Sequence, residues 1–310
     1  MKNICELLNI KYPIIQGGMA NIATAEFAAS VSNAGGLGLI GSGGFDEHWV
    51  RAEIRKAKQL TNHTFGVNIM LMNPRAAEIA KVVVEEQVEV VTTGAGSPGV
   101  YMQAWKEAGI KVIPVVPSVA LAIRMARAGA DAVVAEGTEA GGHIGELTTM
   151  ALIPQIADAI DIPVIAAGGI ADYRGVLAAF ALGAKGVQVG TVLLATIECP
   201  IHQNYKDIVV SARDTDTIVT GRNTKAPVRV LKNKMAVEYV RLSSQQIDHL
   251  ELEKLTLGSL RRAVFDGDID RGSFMAGQIA GLVKEIKTVK EVIESMFDPI
   301  ENYAKGLQVL

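Results

Sequence analysis

The chain has almost nothing with which to cross-link itself or hold a metal. Its 310 residues include two cysteines, Cys5 and Cys199, too few for a disulfide framework or a thiolate metal spacing. Each reads as a small buried hydrophobe rather than a nucleophile. Aromatic residues make up only 5% although hydrophobic residues make up 49%. The apolar content is therefore mostly aliphatic, which suits parallel strands buried under helices. Charge of one sign is also missing. A formal net charge of −3 provides no field to draw nucleic acid or a membrane surface. No long apolar run exists either: the longest uncharged stretch, 27–45, is broken by six glycines and several polar residues, so it is no membrane span. Glu6 and Lys11 interrupt the place where a signal peptide needs an apolar core. The expectation is a soluble cytoplasmic protein, with no nucleic-acid or membrane partner.

What is present is a rhythm. Short β-rich runs at 13–16, 37–40, 65–69, 88–92, 112–116, 131–135, 163–167 and 186–190 alternate with helical patterns such as 20–34, 50–60, 76–87 and 119–128. Eight strands alternating with helices over about 200 residues give the α/β pattern of a (β/α)8 TIM barrel. Several helical patterns end in glycine just before the next strand, as at Gly109 and Gly129, where a left-handed C-cap is expected. After Gly190 the repeat stops. Residues 1–200 are assigned to the barrel and 201–264 to a mainly helical lid or substrate region. Residues 265–310 are assigned to C-terminal helices packing back, with an apolar small-residue helix starting at Ser273.

Barrel enzymes work at the C-terminal ends of their strands. Those ends supply Gln16, Gly17, Gly18 and Met19 from the first run, Asn68 from the third, and Glu136 from the sixth. Ala167, Gly168 and Gly169 follow from the seventh, and Gln188, Gly190 and Thr191 from the eighth. The richest stretch is AEGTEAGGHIGELTTM (135–150), where Gly142 and His143 sit in a glycine frame with Glu136 and Glu139 nearby. The Gly168–Gly169 pair and the Gly190–Thr191 pair offer open backbone donors where barrels bind phosphate. GLGLIG (36–41) matches G-x-G-x-x-G by letter, but it spans a strand instead of opening a helix, as a dinucleotide fingerprint must. His48, His63, His202 and His249 are scattered, and neither a Ser-His-Asp order nor a metal-ligand cluster is present. A phosphate anchor without metal or nucleophile points to a cofactor that carries the chemistry.

The motifs IQGGM (15–19), FGVNIM (65–70), VTTGAG (91–96), AEGTEAGGHIG (135–145), AAGGIAD (166–172) and GDIDRGSFMAGQIAG (267–281) resemble the FMN-dependent enoyl-[acyl-carrier-protein] reductase II family of the nitronate monooxygenase (2-nitropropane dioxygenase) superfamily. That resemblance implies FMN on the rim, its phosphate on Gly168, Gly169, Gly190 and Thr191. The ring would meet Gly17, Gly18, Met19, Asn68 and Glu136, with Gly142, Ala167 and Gln188 completing the pocket. His143 would stand beside the ring as the catalytic residue, oriented by Glu136 or Glu139. NADH or NADPH would be co-substrate, enoyl-acyl carrier protein the partner and substrate, and a monovalent cation a stimulant; a homodimer is the expected assembly. Arg222, Lys225, Arg229, Lys232 and Lys234 form an acid-free stretch expected to dock an acidic carrier protein. The rival readings are a nitronate monooxygenase with O2 as acceptor, a flavin-free phosphate-binding isomerase or aldolase, and a non-catalytic flavin-binding barrel. The aldolase lacks its Schiff-base lysine, since none of the eight runs ends in lysine. One phosphate cradle and no second glycine fingerprint favour FMN over FAD. Heat-released flavin should therefore have the mass of FMN, and recovery of FAD would reject the assignment.

Overall fold

The structure, a computed structural model, describes residues 3–223, 226–245 and 249–306. Eight parallel strands form the sheet: β1 (Ile14–Gln16), β2 (Gly38–Gly41), β3 (Phe65–Met70), β4 (Val90–Gly94), β5 (Lys111–Val116), β6 (Val133–Glu136), β8 (Val164–Ala167) and β9 (Gly186–Val189). The order β1-β9-β8-β6-β5-β4-β3-β2 is closed by a parallel bridge between Ile15 and Leu37, so the (β/α)8 barrel expected from the rhythm is the observed fold. The missing number is β7 (Gly142–His143), which pairs outside the barrel with β11 (Val228–Leu231), itself antiparallel to β10 (Thr217–Thr220).

Side-chain alternation along the strands builds two cores. Ile15, Leu37, Leu39, Val90, Ile113, Val134 and Ile165 face inward and meet Ile4 and Leu8, so the first helix, Ile4–Leu8, plugs the floor of the barrel. Ile14, Ile40, Val67, Val91, Val112, Val133 and Val187 face outward and join the buried faces of the surrounding helices. Helix ends obey the expected punctuation: Gly109 (φ 76°) and Gly129 (φ 96°) take left-handed conformations, with no atom close enough to exclude a methyl group. Backbone shape alone selects glycine there.

Past the barrel, helices Gln203–Ser211, Lys234–Ser243 and His249–Thr256 alternate with the β10–β11 hairpin. The small-residue helix expected from Ser273 is absent. Residues 273–277 run extended, Met275 bridges Val230 antiparallel, and only Gln278–Leu282 coils, as a short 3-10 turn. The alternation of small and apolar residues there serves a flat strap that packs closely on other backbone. A second glycine illustrates close packing inside the barrel wall: a Cβ on Gly38 would lie 1.8 Å from the Ala28 carbonyl oxygen. Gly38→Ala should therefore lower stability by about 3 kcal/mol, read as a lower denaturant midpoint with unchanged m-value; a midpoint equal to wild type would contradict the packing.

Candidate active site at the barrel rim

The top inward layer of the barrel is polar where the layers below are aliphatic. Asn68 on β3 stands opposite Thr92 on β4, and its Nδ2 donates to the Thr92 hydroxyl at 2.8 Å. Across the barrel, Glu136 on β6 stands opposite Ala167 on β8, and Ala167 opposite Gln188 on β9. Adjacent strands lie about 4.8 Å apart, so Glu136 and Gln188 are roughly 10 Å apart across one small alanine. The Gln188 Oε1 is buried without a hydrogen-bond partner. Glu136 is half-buried, and desolvation pushes its carboxyl pKa up to about 7.

The loops above this layer are drawn together by backbone contacts. Gly17 donates to the Val189 carbonyl at 2.8 Å, and the Met19 sulfur lies 3.5 Å from where a Cβ on Gly190 would be. This clusters Gly17, Met19 and Gly190 where the first and last strands meet. Gly18 has another reason to be glycine: a Cβ there would sit 2.1 Å from the Asn68 Cγ. At the end of β8, Gly168 (φ 88°) and Gly169 (φ 75°) both take positive φ, a backbone shape that favours glycine. Thr191 begins the short helix Thr191–Leu194, but its hydroxyl oxygen already accepts from the Gly277 amide at 2.8 Å. Only its hydrogen remains for a ligand.

His143 stands apart from this layer. Its backbone belongs to β7, opposite Val228, with Gly142 opposite Arg229, so the segment after the barrel fixes its position. Its ring lines a cavity of about 780 Å³ together with Asn21, Thr220, Val228, Tyr239 and Met275. His143 is exposed, yet desolvation by the surrounding protein lowers its pKa below the ordinary value of 6.5, which favours the neutral ring. The orienting role expected of the two acids does not appear. Glu139 uses its carboxylate on the amide and hydroxyl of Thr149, and no hydrogen bond joins Glu136 to His143.

The basic stretch is not a single docking face. Arg229 points inward, 6% exposed, donating to the Thr138 carbonyl and the Thr217 hydroxyl. Lys232 donates to the Thr215 carbonyl and Lys234 pairs with Asp270. Lys225 lies outside the described residues. Asn21, Tyr239 and Met275 were not singled out by the sequence. Tyr239 and Met275 follow the end of the βα repeat, where no periodic frame assigns a residue to the rim. Among the described residues no three His, Cys, Asp or Glu groups could hold a metal ion, and no helix is long and apolar enough to cross a membrane.

The Glu136 environment makes stability depend on pH. A carboxyl whose folded pKa is about 7 instead of 4.5 binds its proton more tightly when folded. The stability tied to that proton is fully present below pH 4.5 and is lost as pH rises through 7. The loss amounts to at most about 3 kcal/mol, opposed by a smaller slope from His143, whose pKa moves the other way. Urea denaturation at pH 5 and 8 should show a larger drop for wild type than for Glu136→Gln, and equal drops would reject the assignment.

Comparison with known proteins agrees with the barrel fold. The family model described as nitronate monooxygenase matches residues 2–86 and 79–298. A Staphylococcus aureus (strain JH9) protein named "Probable nitronate monooxygenase" is 34% identical, covering 89% of this chain and 90% of its own. Among solved structures, FabK from Thermotoga maritima is 48% identical with a TM-score of 0.96, covering 99% of each chain. Nitroalkane oxidase from Streptomyces ansochromogenes is 25% identical with a TM-score of 0.87, covering 98% of this chain and 99% of that one. A family match spanning residues 2–298, with a 34%-identical relative covered over nine-tenths of its length, places this chain in the nitronate monooxygenase family of oxidoreductases.

Proposed function

We propose that this chain is an FMN-dependent enoyl-[acyl-carrier-protein] reductase that takes its electrons from NADH or NADPH. The observation that carries the reading is the cavity. At about 780 Å³ it lies toward the upper end of the range for small-molecule sites. It is walled by the segment beyond the barrel, away from the phosphate loops. A thioester with its acyl chain and pantetheine arm would fill such a volume, whereas a small nitronate would leave most of it empty. The 48% identity to FabK, an enoyl-[acyl-carrier-protein] reductase II, over nearly the whole of both chains supports the same choice.

The residues present fit a flavin mononucleotide. The cradle at Gly168 and Gly169 would hold its phosphate, and the unpartnered Gln188 oxygen and half-buried Glu136 carboxyl would meet the polar edge of its ring. Bound FMN would supply hydride chemistry that none of the twenty side chains provides. The chain's own part is to bind the thioester and manage charge. Hydride arriving at the β-carbon of an enoyl thioester leaves negative charge on the thioester oxygen and α-carbon. A ring N–H of His143 would donate a hydrogen bond to that oxygen and so stabilise the developing charge. Glu136, with a pKa near 7, holds a proton for part of the time at neutral pH and can donate a hydrogen bond to a ligand.

A second reading is kept because the curated Staphylococcus aureus relatives carry the monooxygenase name and the nitroalkane oxidase shares the fold. The two are separated by following NADH oxidation under argon with an enoyl thioester, and O2 uptake with an alkyl nitronate. Turnover in the first assay alone is the expected result, and turnover in the second alone overturns the proposal. Within the reductase reading, His143→Ala should retain FMN and its bleaching by NADH while enoyl reduction falls about a hundredfold. Loss of flavin, or slowed bleaching in parallel, would instead make His143 a wall of the cofactor pocket.

A further inference from the structure

We propose that Glu139 is a positioning residue that closes the anion cradle into one hydrogen-bonded ring and ties it to the strap carrying Met275; the inference rests on the flavin reading and deepens it. The ring is traced through hydrogen-bond contacts. The Gly168 carbonyl oxygen lies 2.9 Å from the Thr149 hydroxyl, which lies 2.9 Å from the Glu139 Oε2. The hydroxyl has one hydrogen, shared between these acceptors. The Thr149 amide, at the start of the helix Thr149–Ala157, donates to both carboxylate oxygens of Glu139 at 3.0 and 2.9 Å. The backbone oxygen of Glu139 then accepts from the Gln278 amide at 2.9 Å. The neighbouring Gly277 amide donates to Thr191 at 2.8 Å, which returns the path to the second phosphate loop.

Steric contacts hold the ring tight. A Cβ on Gly277 would fall 2.6 Å from the Glu139 carbonyl oxygen, and one on Gly169 would lie 3.6 Å from the Glu139 side chain. Glu139 thus stands against the loop that receives a phosphate. A free carboxylate there would repel the anion. This one is turned to a helix amino end and hydrogen-bonded there, so its charge is used on the helix. The strap continues to the cavity, where the Met275 sulfur lies 3.5 Å from the Cβ position of Gly142, next to His143. Ordering the cradle therefore orders the cavity wall, and by linkage the reverse holds.

The test compares FMN with riboflavin, which has the same ring and no phosphate, by fluorescence titration of flavin-free wild type, Glu139→Gln, Thr149→Val and Thr149→Ser. Glu139→Gln and Thr149→Val should weaken FMN about tenfold or more, leave riboflavin unchanged, and leave Thr149→Ser like wild type. Unchanged FMN affinity in both variants, or equal loss for both ligands, overturns the proposal. Hydrogen exchange provides a second reading without any ligand. Thr149→Val should speed exchange in residues 139–150 and in 273–278 together, and a change confined to the first segment overturns the ring. A wild type that binds neither flavin rejects the flavin reading, and the exchange result then decides the ring by itself.

Discussion

The carboxylate of Glu139 at the amino end of the helix Thr149–Ala157 is the contact on which the rim depends. The loop after β6 is the longest excursion among the barrel's upper loops, and it leaves the wall before it returns. Without an anchor at its midpoint it would have no defined path. The carboxylate provides that anchor from one side and the Glu139 carbonyl from the other. Gly137 and Gly141 are bare so that Thr149 and Ala276 can approach. Once this loop is held, Gly142 and His143 emerge in a direction that lets them pair as β7.

A division of labour follows. The barrel supplies an apolar interior up to its last layer and then a small set of polar groups, Asn68, Thr92, Glu136 and Gln188, fixed by strand register. These groups are rigid because each stands on a strand with packed neighbours above and below. The segment beyond the barrel supplies the cavity wall and the local sheet that holds His143. The polar rim layer and most of the cavity wall thus come from different parts of the chain, joined through the Gly277–Thr191 and Arg229–Thr138 contacts.

Much of this was legible in the sequence. Parallel strands buried on both faces read as aliphatic runs, and the glycines that end helices mark the spacing, so the barrel and the strand-end residues could be located from periodicity alone. Three features could not. The strap at 273–277 has the small apolar composition of a packed helix, and only its contacts with Val230 and Glu139 show it to be extended. Arg229 sits among basic residues, and nothing local reveals that its side chain turns inward to Thr138. Glu139 looked like a partner for His143 because the two are four residues apart, but the chain reverses between them and the acid faces the helix instead. In each case the deciding contact is with a residue dozens to well over a hundred positions away, or depends on a turn that local pattern does not encode.

The pairing of β7 with β11 has a consequence for how the molecule is made. The ribosome delivers Gly142 and His143 some 85 residues before the strand that receives them, and Thr191 precedes its partner Gly277 by 86 residues. All eight barrel strands are out before either contact can form. The nascent barrel must pass through a period with a short unpaired strand and an open rim, the kind of exposed edge that invites wrong pairing. That strand is only two residues long and is flanked by glycine, which makes it a poor template for another chain. Its brevity protects the unfinished protein during synthesis.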